Sequence, residues 1–309
     1  MFRLAIVLAL SVFAGCPAVA APLEEKSYPR SPALEEVATA ADRFAEHYPR
    51  SKILVVFDVD DTLLTSTKDF GSHAWFKWQH PMAKTGKGEH RVADTPQALY
   101  ALHALAYAIG DMKKTQPNTH TIVKSLIEKG HPVMALTARG PINMSATLRE
   151  LTDQTIAFPT APTCTGGICQ RRGWITAEII RNVAATCCGF NNSEKAKLLK
   201  SPRAAAYDNG VMMLAGQDKG LFLRMLLAAT PTDIKAVVFA DDSWKNIKNT
   251  ARAFRPLKDR IALKALYYTK LSADQQDFLA SKNRQRKAAE TWQAIKVTLC
   301  RQLATQCSN

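Results

Sequence analysis

The sequence predicts a doubly wound parallel α/β sheet, and three apolar runs carry that prediction. Ile53-Leu54-Val55-Val56-Phe57, Val133-Met134-Ala135-Leu136 and Ala236-Val237-Val238-Phe239-Ala240 are short, continuous and rich in branched residues, as strands buried on both faces are. Helical patterns accompany them over Ala33–His47, Thr119–Lys129 and Leu221–Ala228. Strands alternating with helices read as a parallel sheet covered on both faces. In such sheets ligands bind outside the carboxyl ends of the strands, so the chemistry is sought in the residues just after each run.

Composition narrows the class. The chain has 309 residues, 47% hydrophobic and 22% charged, which excludes collagen, a disordered tail and a multi-span membrane protein. A chain of this size buries roughly three quarters of its unfolded surface and needs neither metal nor disulfide to hold a core. Its net charge is +14, from 41 Lys and Arg against 27 Asp and Glu, and that attracts anions in general. No run of five basic residues occurs, and basic residues do not interleave with aromatics along the chain. No specific nucleic-acid motif is therefore present.

The first twenty residues read as a signal peptide. Met1-Phe2-Arg3 carries one charge, Leu4 to Gly15 is a twelve-residue apolar run, and Ala18-Val19-Ala20 fits the small-x-small cleavage pattern. The run is too short to span a bilayer, which takes about 20 apolar residues, so no transmembrane span is expected after cleavage near Ala20. Phe13-Ala14-Gly15-Cys16 partly fits a lipoprotein box, with Phe at its first position against it. The expected location is periplasmic or secreted. Six cysteines remain after cleavage: Cys164, Cys169, Cys187, Cys188, Cys300 and Cys307. An even count in an exported chain suggests disulfides, with 15 pairings open.

Residues 21–309 form one α/β domain on this reading, with two insertions. Residues 66–118 are expected to form a cap containing Trp75, Phe76, Trp78 and the histidines His73, His80, His90 and His103. The aromatics are expected to pack the cap on the core, and the histidines lack metal-ligand spacing. Residues 152–206 hold four of the cysteines and Arg171-Arg172, and are expected to form a small subdomain or lid. Residues 272–309 read as one or two amphipathic helices docked on the core.

The three runs lead into acidic segments. Asp58-Val59-Asp60-Asp61-Thr62 comes after the first, Thr137-Ala138-Arg139-Gly140 after the second, and Asp241-Asp242-Ser243 after the third. Five carboxylates and a hydroxyl converging on one sheet edge call for a cation. Hard oxygen donors beside a phosphate point to Mg²⁺.

These motifs carry a resemblance. An apolar strand running into Asp58-Val59-Asp60-Asp61-Thr62, a strand ending in Thr137, Lys219 at the head of a helix, and a strand ending in Asp241-Asp242 resemble the four motifs of the haloacid dehalogenase superfamily. The arrangement also resembles a poorly characterised exported branch of it, the DUF2608-type group. The resemblance implies a phosphohydrolase acting on a phosphorylated small molecule. Asp58 is then the nucleophile that forms an aspartyl-phosphate, and Asp60 the general acid and base. Thr62 orients Asp60, Thr137 holds a phosphoryl oxygen, and Lys219 neutralises charge. Mg²⁺ is implied on Asp58, the Asp60 carbonyl, and Asp242 with Asp241 direct or through water. Lys195, Lys197 and Lys200 compete with Lys219 for the cationic role. Arg139 is assigned either to substrate phosphate or to a surface ion pair, and Asp61 either to a helix start or to a supporting acid behind the metal ligands, not to a ligand itself. The alternative function is a secreted protein that keeps the fold and binds an anionic or protein partner with little or no catalysis. The sequence carries no signal for oligomeric state.

Overall fold

The run Ile53–Phe57 is a strand buried at every residue, near the middle of an eight-stranded sheet in the computed structural model. The structure describes residues 28–163, 172–186, 188–231 and 233–303. The expected signal peptide and four of the six mature cysteines (Cys164, Cys169, Cys187, Cys307) lie outside the described residues, as does Arg171; the two described cysteines, Cys188 and Cys300, are each disulfide-bonded.

In chain order the elements are β1 Arg30–Ser31, α1 Glu35–Ala45, β2 Ile53–Phe57, β3 Leu64–Ser66, α2 His73–Thr85, α3 Pro96–Ile109 and β4 Met112–Lys114. Next come α4 Thr119–Glu128, β5 Val133–Thr137, α5 Met144–Asp153, β6 Arg172–Ile175, α6 Ala177–Thr186, α7 Asn192–Leu199, β7 Ala205–Asp208 and β8 Val211–Met213. The last group is α8 Lys219–Ala229, β9 Ala236–Asp241, α9 Trp244–Phe254, β10 Ala262–Tyr268, α10 Ser272–Ala280 and α11 Lys282–Leu303.

The strand order is β1-β10-β9-β2-β5-β8-β7-β6. All neighbours from β1 to β8 pair in parallel, and β7 and β6 are added antiparallel. The three predicted strands β9, β2 and β5 are thus adjacent, and their carboxyl ends form one edge. Alternation along β2 decides which helices cover which face. Leu54 and Val56 meet α8 and α9 in one apolar core, while Ile53, Val55 and Phe57 meet α1 and α4 in the other. The fold is the predicted doubly wound α/β sheet. Helix α1 buries Val37, Ala40, Ala41 and Phe44, a stripe at helical spacing.

The insertion expected over 152–206 as a small subdomain or lid is, over the described residues 172–186 and 188–206, part of the central sheet and its covering helices. β6 and β7 extend the central sheet, and Ile180, Ala184 and Leu198 of α6 and α7 belong to its core. Periodicity could not separate a lid from a sheet extension, because both present an apolar face. A tight turn completes the extension: Asn209 (φ 47°) and Gly210 (φ 80°) link β7 to β8, the Asn-Gly turn that matches strand twist.

Between β2 and β5 the chain leaves the sheet. β3 and β4 pair antiparallel at the base of the excursion, and α2 and α3 pack above it. Trp75 is fully buried there, among Leu99 and Leu102 of α3 and Phe278 and Ala288 of the C-terminal helices. Trp292 stacks on Phe70 with ring centroids 6.1 Å apart. The C-terminal helices therefore dock on the excursion. Among the described residues no helix is long and apolar enough to cross a membrane.

One close approach sets the height of α8 over the sheet edge. A Cβ on Gly220 would lie 2.6 Å from Thr250 Cα and 2.9 Å from Asn249 O of α9. Gly220→Ala should cost about 1–3 kcal/mol in urea unfolding through overpacking, and unchanged stability would show that α8 and α9 have room to part.

Candidate active site

Three carboxylates and one ammonium meet where β2 and β9 end. Ala240 pairs with Phe57 across these parallel strands, so the next residues, Asp58 and Asp241, stand side by side on the face covered by α8. Asp218 caps that helix by accepting from Leu221 N at 3.0 Å, and Lys219 is its first residue. The Lys219 ammonium is 1% exposed and lies 2.6 Å from Asp58 Oδ1 and 2.7 Å from Asp241 Oδ2. Val59 N also donates to Asp58 Oδ1, at 2.7 Å. Asp241 accepts from Ser243 N at 2.8 Å and from Asn246 Nδ2 at 3.0 and 3.1 Å. Burial, then the Asp241 charge, push the Asp58 carboxyl well above its ordinary value, against the pull of Lys219. Burial acts the other way on Lys219, yet Asp241 and Asp58 hold its ammonium firmly protonated.

Asp242 faces the opposite way along the chain and is held by different elements. Its N–H donates to Thr62 Oγ1 at 3.0 Å. Its Oδ2 accepts from Gln275 Nε2 of α10 at 3.1 Å and lies 3.8 Å from Lys77 Nζ and 3.7 Å from His73 Nδ1 of α2. Its Oδ1 is buried and has no hydrogen-bond partner among the described residues. Burial and then Asp241 push the Asp242 carboxyl up to about 6. Gln275 Nε2 also donates to Asp61 Oδ2 at 2.7 Å, and its Oε1 accepts from Lys77 Nζ at 3.2 Å. One amide thus joins the sheet edge, the excursion and the C-terminal helices.

Asp58, Asp241 and Asp242 each offer an oxygen within 4.8 Å of the others, and Asp61, His73 and Asp242 form a second such group. The first set fits a hard divalent cation by donor chemistry, and the unpartnered Asp242 Oδ1 is an oxygen still available to one.

Asp60 stands apart from this cluster. The Arg139 guanidinium holds both its oxygens, with Nε at 2.9 and 3.2 Å and Nη2 at 2.7 Å. Tyr107 of α3 donates to Asp60 Oδ1 at 3.2 Å, and its ring lies 3.7 Å from the Arg139 guanidinium carbon. Arg139 Nη1 bonds Glu150 Oε2 at 2.5 Å and Thr147 Oγ1 at 2.8 Å. Burial would raise the Asp60 carboxyl, but the guanidinium prevails and lowers it to about 2.

The structure brings the predicted Asp58, Thr137, Lys219, Asp241 and Asp242 to one sheet edge. Thr137 is fully buried at the end of β5, and its hydroxyl oxygen accepts from Arg139 N at 3.1 Å. Lys195, Lys197 and Lys200 lie on or just beyond α7, where Lys197 pairs with Asp218; Lys219 alone of the four contacts Asp58. Three details differ from expectation. Thr62 braces the Asp242 amide and does not bond the Asp60 carboxylate, because the turn after β2 aims its hydroxyl at β9. Arg139 is a buried clamp on Asp60, not a surface ion pair. Of the two expectations for Asp61 the helix start does not hold, since its φ is 57° and Thr65 Oγ1 donates to its Oδ1 at 2.7 Å; it stands behind Asp242, with which it shares Gln275 Nε2. Gln275, Asn246, Tyr107 and His73 escaped sequence reasoning. Only Asn246 had a local signal, sitting one helical turn past Asp242.

Residues 31–304 match the model of DUF2608, a family described as proteins of unknown function, and the chain belongs to that family. Comparison with curated proteins finds no match.

The shifted carboxyls have opposite effects on stability. Asp60, lowered in the folded chain, stabilises it above the unfolded value near 3.8 and loses that contribution as pH falls toward 2. Asp242, raised to about 6, favours the folded chain while protonated and loses that contribution as pH climbs from 4 to 6. In metal-free buffer, unfolding free energy should fall by on the order of 2–3 kcal/mol over that upper window. Asp242→Asn should lessen the decline without removing it, since the raised carboxyls of Asp58 and Asp61 act in the same direction, and a decline identical in the variant would assign it to those acids alone.

Proposed function

We propose that this chain is an exported Mg²⁺-dependent phosphatase of the haloacid dehalogenase superfamily, hydrolysing a phosphate monoester by two displacements at Asp58. The observation that carries the reading is the buried ammonium of Lys219, shared between Asp58 and Asp241 at 2.6 and 2.7 Å beside a third acid. A lysine so placed neutralises the nucleophile and the entering phosphoryl group together.

In the first displacement an Asp58 carboxylate oxygen attacks phosphorus, the ester P–O bond breaks, and the alcohol leaves with a proton. In the second, water attacks phosphorus of the aspartyl-phosphate, the acyl P–O bond breaks, and Asp58 returns with orthophosphate released. The Thr137 hydroxyl donates to a phosphoryl oxygen, since its own oxygen already accepts from Arg139 N. Asp60 enters ionised, as the Arg139 clamp supports, which suits it to take a proton from the attacking water. To serve as the acid of the first displacement, Asp60 must part from the guanidinium and take up a proton from solvent; it gives that proton to the leaving alcohol and, ionised again, takes one from the attacking water in the second displacement. Mg²⁺, held by Asp58, Asp242 and the Asp60 carbonyl with Asp241 adjacent, would supply charge neutralisation at the phosphoryl oxygens. Gln275 orients Asp242 toward that role through its 3.1 Å bond. The export reading rests on the N-terminal pattern of residues 1–20.

Two measurements test this. Asp58→Asn should reduce hydrolysis of a phosphate-ester panel by at least about 10³-fold while the melting temperature stays within a few degrees. Unchanged turnover rejects the mechanism, and wild-type inactivity on every ester with saturable macromolecular binding favours a binding protein instead. Gln275→Ala should raise the Mg²⁺ concentration for half-maximal rate about 10–100-fold, with kcat recovered at saturating Mg²⁺. An unaltered Mg²⁺ dependence would remove Gln275 from the site.

A further inference from the structure

The acidic row at the sheet edge continues outward into an aromatic one. Tyr267 on β10 is the register partner of Asp241, and Arg30 on β1 is the register partner of Tyr267. Parallel partners point to the same face of a sheet. Tyr267 packs with the core under α8 and α9, the face that also carries Asp58, Asp241 and Lys219. Trp244 opens α9 two residues after Asp242, and its ring lies 5.6 Å from that of Tyr267 and 6.3 Å from that of Tyr28. Arg30 sits over Tyr267 at 5.3 Å and Lys248 over Trp244 at 5.8 Å. Trp244 is 42% exposed and Tyr28 36% exposed.

Three rings from three segments thus support one another and keep exposed surface beside the phosphoryl site. A fully solvated Trp on a helix gains nothing from such placement, whereas a ring braced by two others is pre-ordered for stacking. The distance selects the ligand. Tyr267 stands two strand spacings from Asp58, about 10 Å at 4.8 Å per strand. A ring bonded directly to the phosphate could not reach it, while a ring one sugar away could. The two cations suit an electron-rich heterocycle and the anion attached to it.

We propose that Trp244, Tyr28 and Tyr267, flanked by Arg30 and Lys248, form a stacking subsite for the base of a nucleoside monophosphate whose phosphate lies at Asp58. This rests on the phosphatase reading for the position of the phosphate, and deepens it by naming the substrate class. Base stacking on such a platform is sequence-tolerant, so purine and pyrimidine nucleotides are both accommodated.

The experiment compares adenosine 5′-monophosphate with ribose 5-phosphate, which share the sugar phosphate and differ in the base. On the wild-type chain with Mg²⁺, kcat/KM should favour the nucleotide about tenfold, mainly through KM. Trp244→Ala should collapse that ratio toward one, and Trp244→Phe should retain most of it. Calorimetric binding to Asp58→Asn reads the same preference without turnover, with the double variant Asp58→Asn/Trp244→Ala as its control. Equal affinity for the two esters, or a nucleotide preference that survives loss of Trp244, overturns the subsite. Hydrolysis of neither ester counts against the phosphatase reading, while Trp244-dependent nucleotide binding would still support the platform.

Discussion

Buried negative charge at one sheet edge is the constraint around which this molecule is organised. Asp58, Asp241 and Asp242 are less than a tenth exposed and lie within one small volume, an arrangement whose mutual repulsion grows as water is removed. Lys219 answers it from inside. Its position results from a chain of local causes: Asp218 caps α8, Gly220 lets α8 approach α9, and the ammonium between them reaches both acids. Losing Lys219 would leave two buried carboxylates facing each other, so stability and chemistry are tied to the same atom.

A second buried ion pair links the excursion to the sheet. Arg139, just after β5, is shared by Asp60 and Glu150 and covered by the Tyr107 ring of α3. Gln275 makes the equivalent connection from the C-terminal helices. Arg284 of α11 secures that helix pair by contacting Asp69 at 3.0 Å through Nε, and Asp274 and Asp277 at 3.0 and 2.8 Å through Nη1. The acidic edge is thus enclosed from both sides by elements that hydrogen-bond its carboxylates directly. Moving α3 away from the sheet breaks the Tyr107–Asp60 hydrogen bond, and moving α2 away separates His73 and Lys77 from Asp61 and Asp242.

How much of this could be read from the chain depended on whether the signal was local. The three apolar runs became β2, β5 and β9 with boundaries shifted by at most one residue, because a strand covered on both faces must be apolar throughout. Asp58, Thr137, Lys219, Asp241 and Asp242 were legible because each lies at the end of a strand or the start of a helix. The apolar pattern of β6 and β7 does not distinguish a sheet extension from a separate layer, and only Asn209-Gly210 carries a local hairpin signal there. Adjacency in sequence points Thr62 at Asp60, whereas the turn directs its hydroxyl to the Asp242 amide. Gln275 lies 214 positions from the Asp61 it bonds, and nothing in its surroundings distinguishes it from any surface glutamine.

By itself, the sequence determined the class of sheet, the order of its central strands and the acids and lysine at their ends, because hydrophobic periodicity and strand-end motifs are encoded over a few residues. Tertiary structure alone decided which charges neutralise one another, that Asp60 is clamped by Arg139, and that Tyr28, Trp244 and Tyr267 gather beside the acidic row. Those outcomes depend on strand register and helix approach across segments far apart in the chain, and pairing at that range leaves no periodic trace in either partner.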